Sequence, residues 1–200
     1  MRKYIWVLVM MFSVTSAYAQ HKVGSATIQS KIGLNISNLT HNDGADSRTE
    51  FTGGVELEYQ FTKQLAFAVG LVYSPQGSYA NDLNGNVPNG YNVKSTKQID
   101  YLNVPIVANL YLLKGFAVKL GIQPGFNVKA NIETESKGRK ENYTLYDVKW
   151  FDFSIPIGLS YEYKNFVADA RYNIGFTKVI DGTKSKNKVF QFTLGYKFNL

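Results

Sequence analysis

The chain has 200 residues, room for about one domain, and a formal net charge of +7. It contains no cysteine, which excludes a disulfide framework, a thiolate zinc site, an iron–sulfur cluster and a cysteine nucleophile. After the N-terminal segment no apolar run approaches the roughly 18 residues of a spanning helix, so a helical membrane protein is excluded. A membrane protein built of strands is not, because spanning strands alternate apolar with polar residues.

The N-terminal segment has the pattern of a signal peptide. Arg2 and Lys3 form its basic start, 5–14 is an apolar core, and 17–19 is a small-x-small cleavage site before Gln20. The apolar core is too short for a transmembrane anchor, and a glutamine after the cut excludes lipid anchoring at that point. We therefore predict a cleaved signal peptide over 1–19, a short lead over 20–27 and an exported mature chain.

The rest of the sequence alternates apolar and polar residues with period two, which is typical of β-strands. The pattern predicts eight strands, each about as long as the 9–11 residues that a tilted strand needs to cross a bilayer. They are Ile28–Ser37, Phe51–Phe61, Leu65–Ser74, Asp100–Tyr111, Phe116–Ala130, Phe151–Tyr163, Phe166–Phe176 and Phe190–Phe198.

The connections between these strands alternate strictly in length. The short turns are 62–64, 112–115 and 164–165, and the long polar connections are 38–50, 75–98, 131–148 and 178–188. Outer-membrane barrels combine short periplasmic turns with longer extracellular loops. The sequence therefore predicts an all-β, eight-stranded antiparallel up-and-down transmembrane β-barrel over 28–200, with both termini periplasmic.

The alternation also fits a secreted, lipocalin-like ligand-binding barrel, which would turn its apolar face inward. Two features favour the membrane barrel. The polar face is rich in small residues that suit the narrow lumen of an eight-stranded barrel. The apolar face has aromatic residues near strand ends, as in an interfacial girdle. They are Tyr59, Phe61, Tyr73, Tyr161, Tyr163, Tyr196 and Phe198.

The polar face also has charges of both signs, which we assign to the lumen. The basic ones are Lys31, Lys119, Lys129, Arg171 and Lys197, and the acidic ones are Glu56, Glu58, Asp152, Glu162 and Asp169. Buried charges must be paired, and the equal numbers predict a structural salt-bridge network that plugs the lumen. A selective channel would show an excess of one sign and need more strands. We expect Arg171 to pair with one or more of Asp152, Glu162 and Asp169, and Ala170 to face lipid.

Few residues in the sequence point to catalysis. The histidines are His21 and His41, and His41 is followed by Asn42, Asp43, Asp46 and Ser47. This leaves open a small lipid-modifying enzyme that uses His41 at the outer rim, although an exposed loop histidine is favoured. No glycine-rich phosphate loop or basic aromatic platform indicates nucleic acid. We expect a non-enzymatic protein with no catalytic, cofactor-binding or metal site.

Three stretches carry a resemblance to a known family: 101–106 with 121–125, 158–165 running into 169–175, and 194–198. They resemble the PorT-like outer-membrane β-barrel family, small OmpA- and OmpX-like barrels typical of Bacteroidetes. The resemblance implies a Gram-negative outer-membrane protein that is surrounded by membrane lipid, is inserted by the barrel-assembly machinery, and has relatives tied to protein export.

The last long connection is cationic, with Lys178, Lys184, Lys186 and Lys188 against Asp181. A cationic outer loop can bind lipid phosphates or an acidic partner. Since loops commonly carry function, we expect a structural, adhesion or export-associated role in which the extracellular loops contact a protein partner.

Overall fold

A computed structural model describes residues 22–40, 45–82, 93–136 and 139–200. The predicted signal peptide, His21 and His41 lie outside the described residues. The described part of the chain has no helix long and apolar enough to cross a membrane. Its ten strands are β1 (Ala26–Leu39), β2 (Ala45–Gln60), β3 (Leu65–Asp82), β4 (Val93–Asn103), β5 (Ile106–Leu113), β6 (Phe116–Ser136), β7 (Arg139–Thr144), β8 (Phe151–Tyr163), β9 (Phe166–Gly175) and β10 (Asn187–Asn199).

The strands close into a ring in which every pairing is antiparallel. Strands β1, β2 and β3 pair in order, β3 pairs with both β4 and β5, and these two pair with β6. The ring continues through β8 and β9 to β10, which pairs with β1 from Thr27–Asn199 to Leu39–Asn187. Because β4 and β5 together make one barrel strand and β7 only extends the hairpin after β6, the predicted eight-stranded up-and-down barrel is confirmed.

The predicted strand Asp100–Tyr111 is interrupted at Val104 and Pro105. Proline has no backbone N–H and cannot donate to a ladder, so the regular pairing stops there. Hydrogen bonds bridge the gap: the Gly70 amide donates to the Pro105 carbonyl at 2.9 Å, and the Val104 amide donates to the Pro124 carbonyl at 2.8 Å. The barrel wall therefore continues around the proline.

At the end with the long connections, the strands extend further than predicted. Strand β2 already begins at Ala45, β3 continues to Asp82, and β6 continues to Ser136, where it pairs with Arg139 of β7. The predicted loops 38–50, 75–98 and 131–148 are therefore largely paired hairpins. A sheet outside the membrane can have polar residues on both faces, so the period-two pattern fades although pairing continues.

The opposite end of the barrel is closed by tight turns. Gly115 adopts a φ of +73°, and an added Cβ there would lie 2.1 Å from the Glu162 carbonyl oxygen of the neighbouring strand. Glycine is the residue that tolerates both conditions. Lys164, in the two-residue turn between β8 and β9, also has a positive φ of 56°.

The barrel has a polar interior and an apolar exterior. Along β8, Asp152, Ser154, Ser160 and Glu162 are buried, whereas Leu159 between them is exposed. The exposed outward residues of the other strands are mostly Ile, Leu, Val, Phe and Tyr. This is the opposite of what a water-soluble lipocalin-like barrel requires, and it suits a barrel whose outer face contacts lipid.

Candidate functional site in the barrel lumen

The inward-facing charges form the most distinctive cluster of the molecule. Nine of the ten predicted lumen charges are buried, and the exception is Lys129, which is exposed. A β-bulge explains the error: Asp100 pairs with Lys129 and Tyr101 pairs with Asn127, so Val128 has no partner across the strands. A bulge interrupts the alternation of inward and outward side chains. Beyond it, the rule that every second residue faces the lumen no longer applies.

Two further charged residues, Arg48 and Asp100, are buried but were not predicted. Arg48 lay in a predicted loop. Asp100 began a predicted strand and lies between the inward-facing Ile99 and Tyr101, so the pleat turns its side chain to the opposite face. Arg48 is an even number of residues before Glu56 in β2, so the period-two pattern puts both on the same face. A predicted strand that began before Arg48 would therefore have included it among the inward charges. With these two included, the described residues hold six buried carboxylates and five buried basic groups. Buried carboxylates therefore outnumber buried basic groups by one, and the expected equal numbers are not found.

The central cluster is organised by Arg171. Its Nη1 and Nη2 atoms donate to the two carboxylate oxygens of Glu56 at 2.7 and 2.8 Å. Its Nε and Nη2 atoms donate to the two oxygens of Asp169, both at 2.8 Å. Lys31 adds an ion pair to Glu56, and Lys119 Nζ lies 2.6 Å from Asp169 Oδ2. Three basic groups thus share two carboxylates, and Arg171 is 1% exposed.

A second cluster lies towards the short turns and has the opposite charge. Lys197 Nζ donates to Glu58 at 2.7 Å, to Glu162 at 2.8 Å and to the Tyr111 hydroxyl at 3.0 Å. The Tyr111 hydroxyl in turn donates to Glu58 at 2.9 Å, and the Asn109 amide also donates to Glu58. One basic group thus serves two carboxylates, so the excess charges of the two clusters offset each other.

Arg171 and Glu162 therefore belong to different clusters. Of the three partners expected for Arg171, only Asp169 pairs with it, and Glu56 is its second partner. Glu162 pairs with Lys197, whereas Asp152 accepts hydrogen bonds from Thr177 and, at 3.0 Å, from Asn187. Within the described ranges, Asp152 is the buried carboxylate that forms no ion pair.

Neutral and charged groups continue the network towards the long hairpins. Gln191 donates to Asn35 at 2.9 Å, and Asn35 donates to Ser74 at 2.8 Å. Further out, Arg48 lies 3.4 Å from Asp100, whose other oxygen accepts a 2.8 Å hydrogen bond from the Tyr73 hydroxyl. The buried polar groups of this layer are thereby largely paired, as buried groups must be.

An apolar cluster covers the lumen at its outer mouth. Leu39, Ile99, Tyr101 and Val179 are buried against one another, with Val148 and Ile180 packed on them. A β-bridge joins Val148 to Ile180, and the Lys149 amide donates to the Val179 carbonyl at 2.9 Å. The connection before β10 is thus folded inward over the mouth. In the described residues no group of His, Cys, Asp and Glu is arranged to hold a metal ion.

The closed ring, charged interior and apolar exterior define an integral outer-membrane β-barrel. The chain belongs to the family described as "Outer membrane protein beta-barrel domain", whose model matches residues 18–181. The match is to this family and does not show the PorT-like group that the sequence resembles. No curated protein matches the chain.

Several solved structures are similar to this chain at low sequence identity. Ail of Yersinia pestis, in complex with the heparin analogue sucrose octasulfate, is 14% identical with a TM-score of 0.52, over 88% of this chain and 100% of Ail. Neisserial surface protein A is 15% identical with a TM-score of 0.47, over 86% and 97% of the two chains. Outer membrane protein W of E. coli is 13% identical with a TM-score of 0.43, over 89% and 100%.

Proposed function

We propose that this protein is a plugged, non-conducting outer-membrane barrel with no catalytic activity, which acts through its extracellular loops in a structural, adhesion or export-associated role. The observation that carries the proposal is the Arg171 cluster, in which one buried guanidinium holds Glu56 and Asp169 together across the lumen. The neighbouring Lys197 cluster and the apolar mouth support the proposal, because each of them also blocks the route through the lumen.

The energetics of the clusters favour a plug over a pore. An ion entering the lumen has to separate charges that are already paired and shielded from water, and breaking such a buried pair typically costs about 3–5 kcal/mol. An eight-stranded barrel is only wide enough for its interior side chains. The carboxylate excess is the single group Asp152, which lies next to Thr177 and Asn187 rather than in a ring of like charges.

The placement of the protein completes the proposal. The leader 1–19 is removed on export, the short turns face the periplasm, and the long hairpins face outward. The PorT-like resemblance supports a Bacteroidetes-type outer membrane, insertion by the barrel-assembly machinery and a link to protein export. Fractionation of cell membranes, with mass spectrometry of the mature N-terminus at Gln20, tests the location and the cleavage together.

Conductance of planar lipid bilayers tests the plug. The wild-type protein should insert without producing current steps. A protein with both Arg171→Ala and Glu56→Ala should give transient steps, because the largest side chains of the central cluster are removed while one charge of each sign is lost. A Lys63→Ala variant, changed in an exposed turn, is the matched control and should stay silent. Sustained wild-type current would overturn the proposal.

The alternative, a lipid-modifying enzyme using His41, needs a separate test. His41→Ala should leave outer-membrane lipid composition unchanged if the proposal is right. A lipid species that disappears in the His41→Ala strain and returns with the wild-type gene would favour the enzyme.

A further inference from the structure

A recess of about 550 Å³ lies at the outer rim, where β8 begins and the chain leaves β9. Lys149, Trp150 and Phe151 line one side of it, and Thr177 and Lys178 line the other. It borders the lumen network through Thr177, which donates to Asp152, and the apolar mouth through Val148, but none of the closures described above uses Trp150 or Lys178. Apart from the acidic Asp181, its charged lining is basic, and together with the aromatic side chains this is the composition of a site for an anionic amphiphile.

The aromatic side chains of the recess pack against one another but remain open to the outside. The rings of Phe126 and Trp150 are stacked at 5.9 Å, and Phe151 lies 5.7 Å from Trp150. Trp150 is nevertheless 70% exposed, and the neighbouring Val128 is also exposed. Phe126, Val128 and Phe151 belong to the outward face of β6 and β8, so the aromatic wall is continuous with the membrane-facing surface. Tryptophan at the edge of such a surface marks the membrane–water interface.

The basic part of the recess lies on the water side of this wall. Lys178 is exposed, and Lys149 is paired at 3.0 Å with Asp181, a residue whose side chain is 69% exposed. Exposed pairs of this kind are weak, so Asp181 is easily displaced by a stronger anion. Lys186, held 5.9 Å above the Phe176 ring, adds positive charge on the same side of the barrel.

We propose that this recess binds a phosphorylated amphiphile of the membrane, with its phosphate at Lys149 and Lys178 and its apolar chain along Phe126, Trp150 and Phe151. The continuity of the wall with the lipid-facing surface selects an amphiphile over a soluble anion, because the ligand has to reach both water and the membrane interior. Charge complementarity selects a phosphate headgroup over a neutral one. The inference does not depend on whether the lumen conducts.

Tryptophan fluorescence tests the proposal directly, because the chain has two tryptophans and Trp6 lies in the proposed leader, which leaves Trp150 as the reporter in the mature protein. The mature protein, residues 20–200, is folded in neutral maltoside micelles and titrated with dodecyl phosphate. We expect a saturable blue shift that a Trp150→Phe variant lacks. In the double variant Lys149→Gln, Lys178→Gln the apparent affinity should fall by about 30-fold, since one lysine near an anionic lipid surface strengthens binding by about five-fold.

Two controls separate this site from general electrostatic attraction. A matched pair of exposed lysines at the other end of the barrel, changed as Lys63→Gln and Lys164→Gln, should leave the titration unchanged. Inorganic phosphate at millimolar concentration should neither shift the emission nor compete. Equal binding by both lysine double variants, or a full response to inorganic phosphate, would overturn the proposal. A heat-dependent shift on SDS gels verifies that each variant is folded.

Discussion

Arg171 illustrates how strongly one side chain can determine the stability of this barrel. It makes four hydrogen bonds to Glu56 and Asp169, all between 2.7 and 2.8 Å. Arg171→Ala should lower the free energy of unfolding by about 3–5 kcal/mol, because it leaves buried carboxylates without their main partner. Equilibrium unfolding from lipid vesicles measures this loss.

The structure also identifies which second change should rescue that variant. Adding Glu56→Gln or Asp169→Asn to Arg171→Ala removes one of the abandoned carboxylates and should recover part of the loss. Asp152→Asn is the matched control, because Asp152 is bonded to Thr177 and Asn187, and it should recover nothing. Equal rescue by all three changes would contradict the cluster described here.

Ala170 tests the assignment of the outer face. It pairs with Phe192 and Leu159 on the neighbouring strands and lies in an apolar recess of about 590 Å³ on the outside of the barrel. Ala170→Arg should destabilise the protein by roughly 2–4 kcal/mol, which is the penalty for a lipid-facing cation near the midplane. Tyr163→Arg, at a strand end, should cost about 0–1 kcal/mol. If Ala170→Arg is no worse than Tyr163→Arg in vesicle unfolding, the face assignment is wrong.

At the scale of an element, the hairpin formed by β6 and β7 should respond to pH. Lys140 Nζ lies 2.8 Å from Glu133, and this hydrogen bond and charge lower the pKa of Glu133 from its usual 4.5. A lowered folded-state pKa stabilises the hairpin above pH 4.5, and the contribution disappears as pH falls through the folded-state value.

Cross-strand nuclear Overhauser effects between residues 133 and 142 measure this response. They should weaken in the acid range, while the pairing of β1 with β10 stays intact. Lys140→Gln should remove most of the pH dependence, because it abolishes the largest of the interactions that lower the pKa of Glu133. A hairpin whose pH response is the same in wild type and Lys140→Gln would show that this pair is not responsible.

For the molecule as a whole, closure of the ring predicts resistance to detergent. Every barrel strand has a hydrogen-bonded neighbour on both sides, and β1 and β10 are paired along their whole length. Such a barrel has no free edge at which SDS can begin to open the sheet. Unheated and boiled samples refolded in micelles should migrate differently on SDS gels, and identical migration would count against a closed barrel.

The sequence alone determined the number of barrel strands and the period-two pattern that separates the two faces of the wall. These features follow from the pleat, which sends neighbouring residues to opposite sides and is therefore visible in a local pattern. Leu159 and Ser160, or Ala170 and Arg171, could be assigned without knowing any strand pairing. Nine of the ten charges that this local rule assigns to the lumen are buried, whereas Lys129, next to a bulge that interrupts the rule, is exposed.

Only the tertiary structure decided which charges meet. Arg171 and Glu56 are 115 residues apart in the chain, and Lys197 and Glu58 are 139 residues apart. Their contact depends on ring closure, strand register and the height of each residue along the barrel, and no local pattern contains these quantities. The same holds for the apolar mouth and the outer-rim recess, because Val148 meets Ile180, and Lys149 meets Asp181, only when two separate connections fold together over the closed barrel.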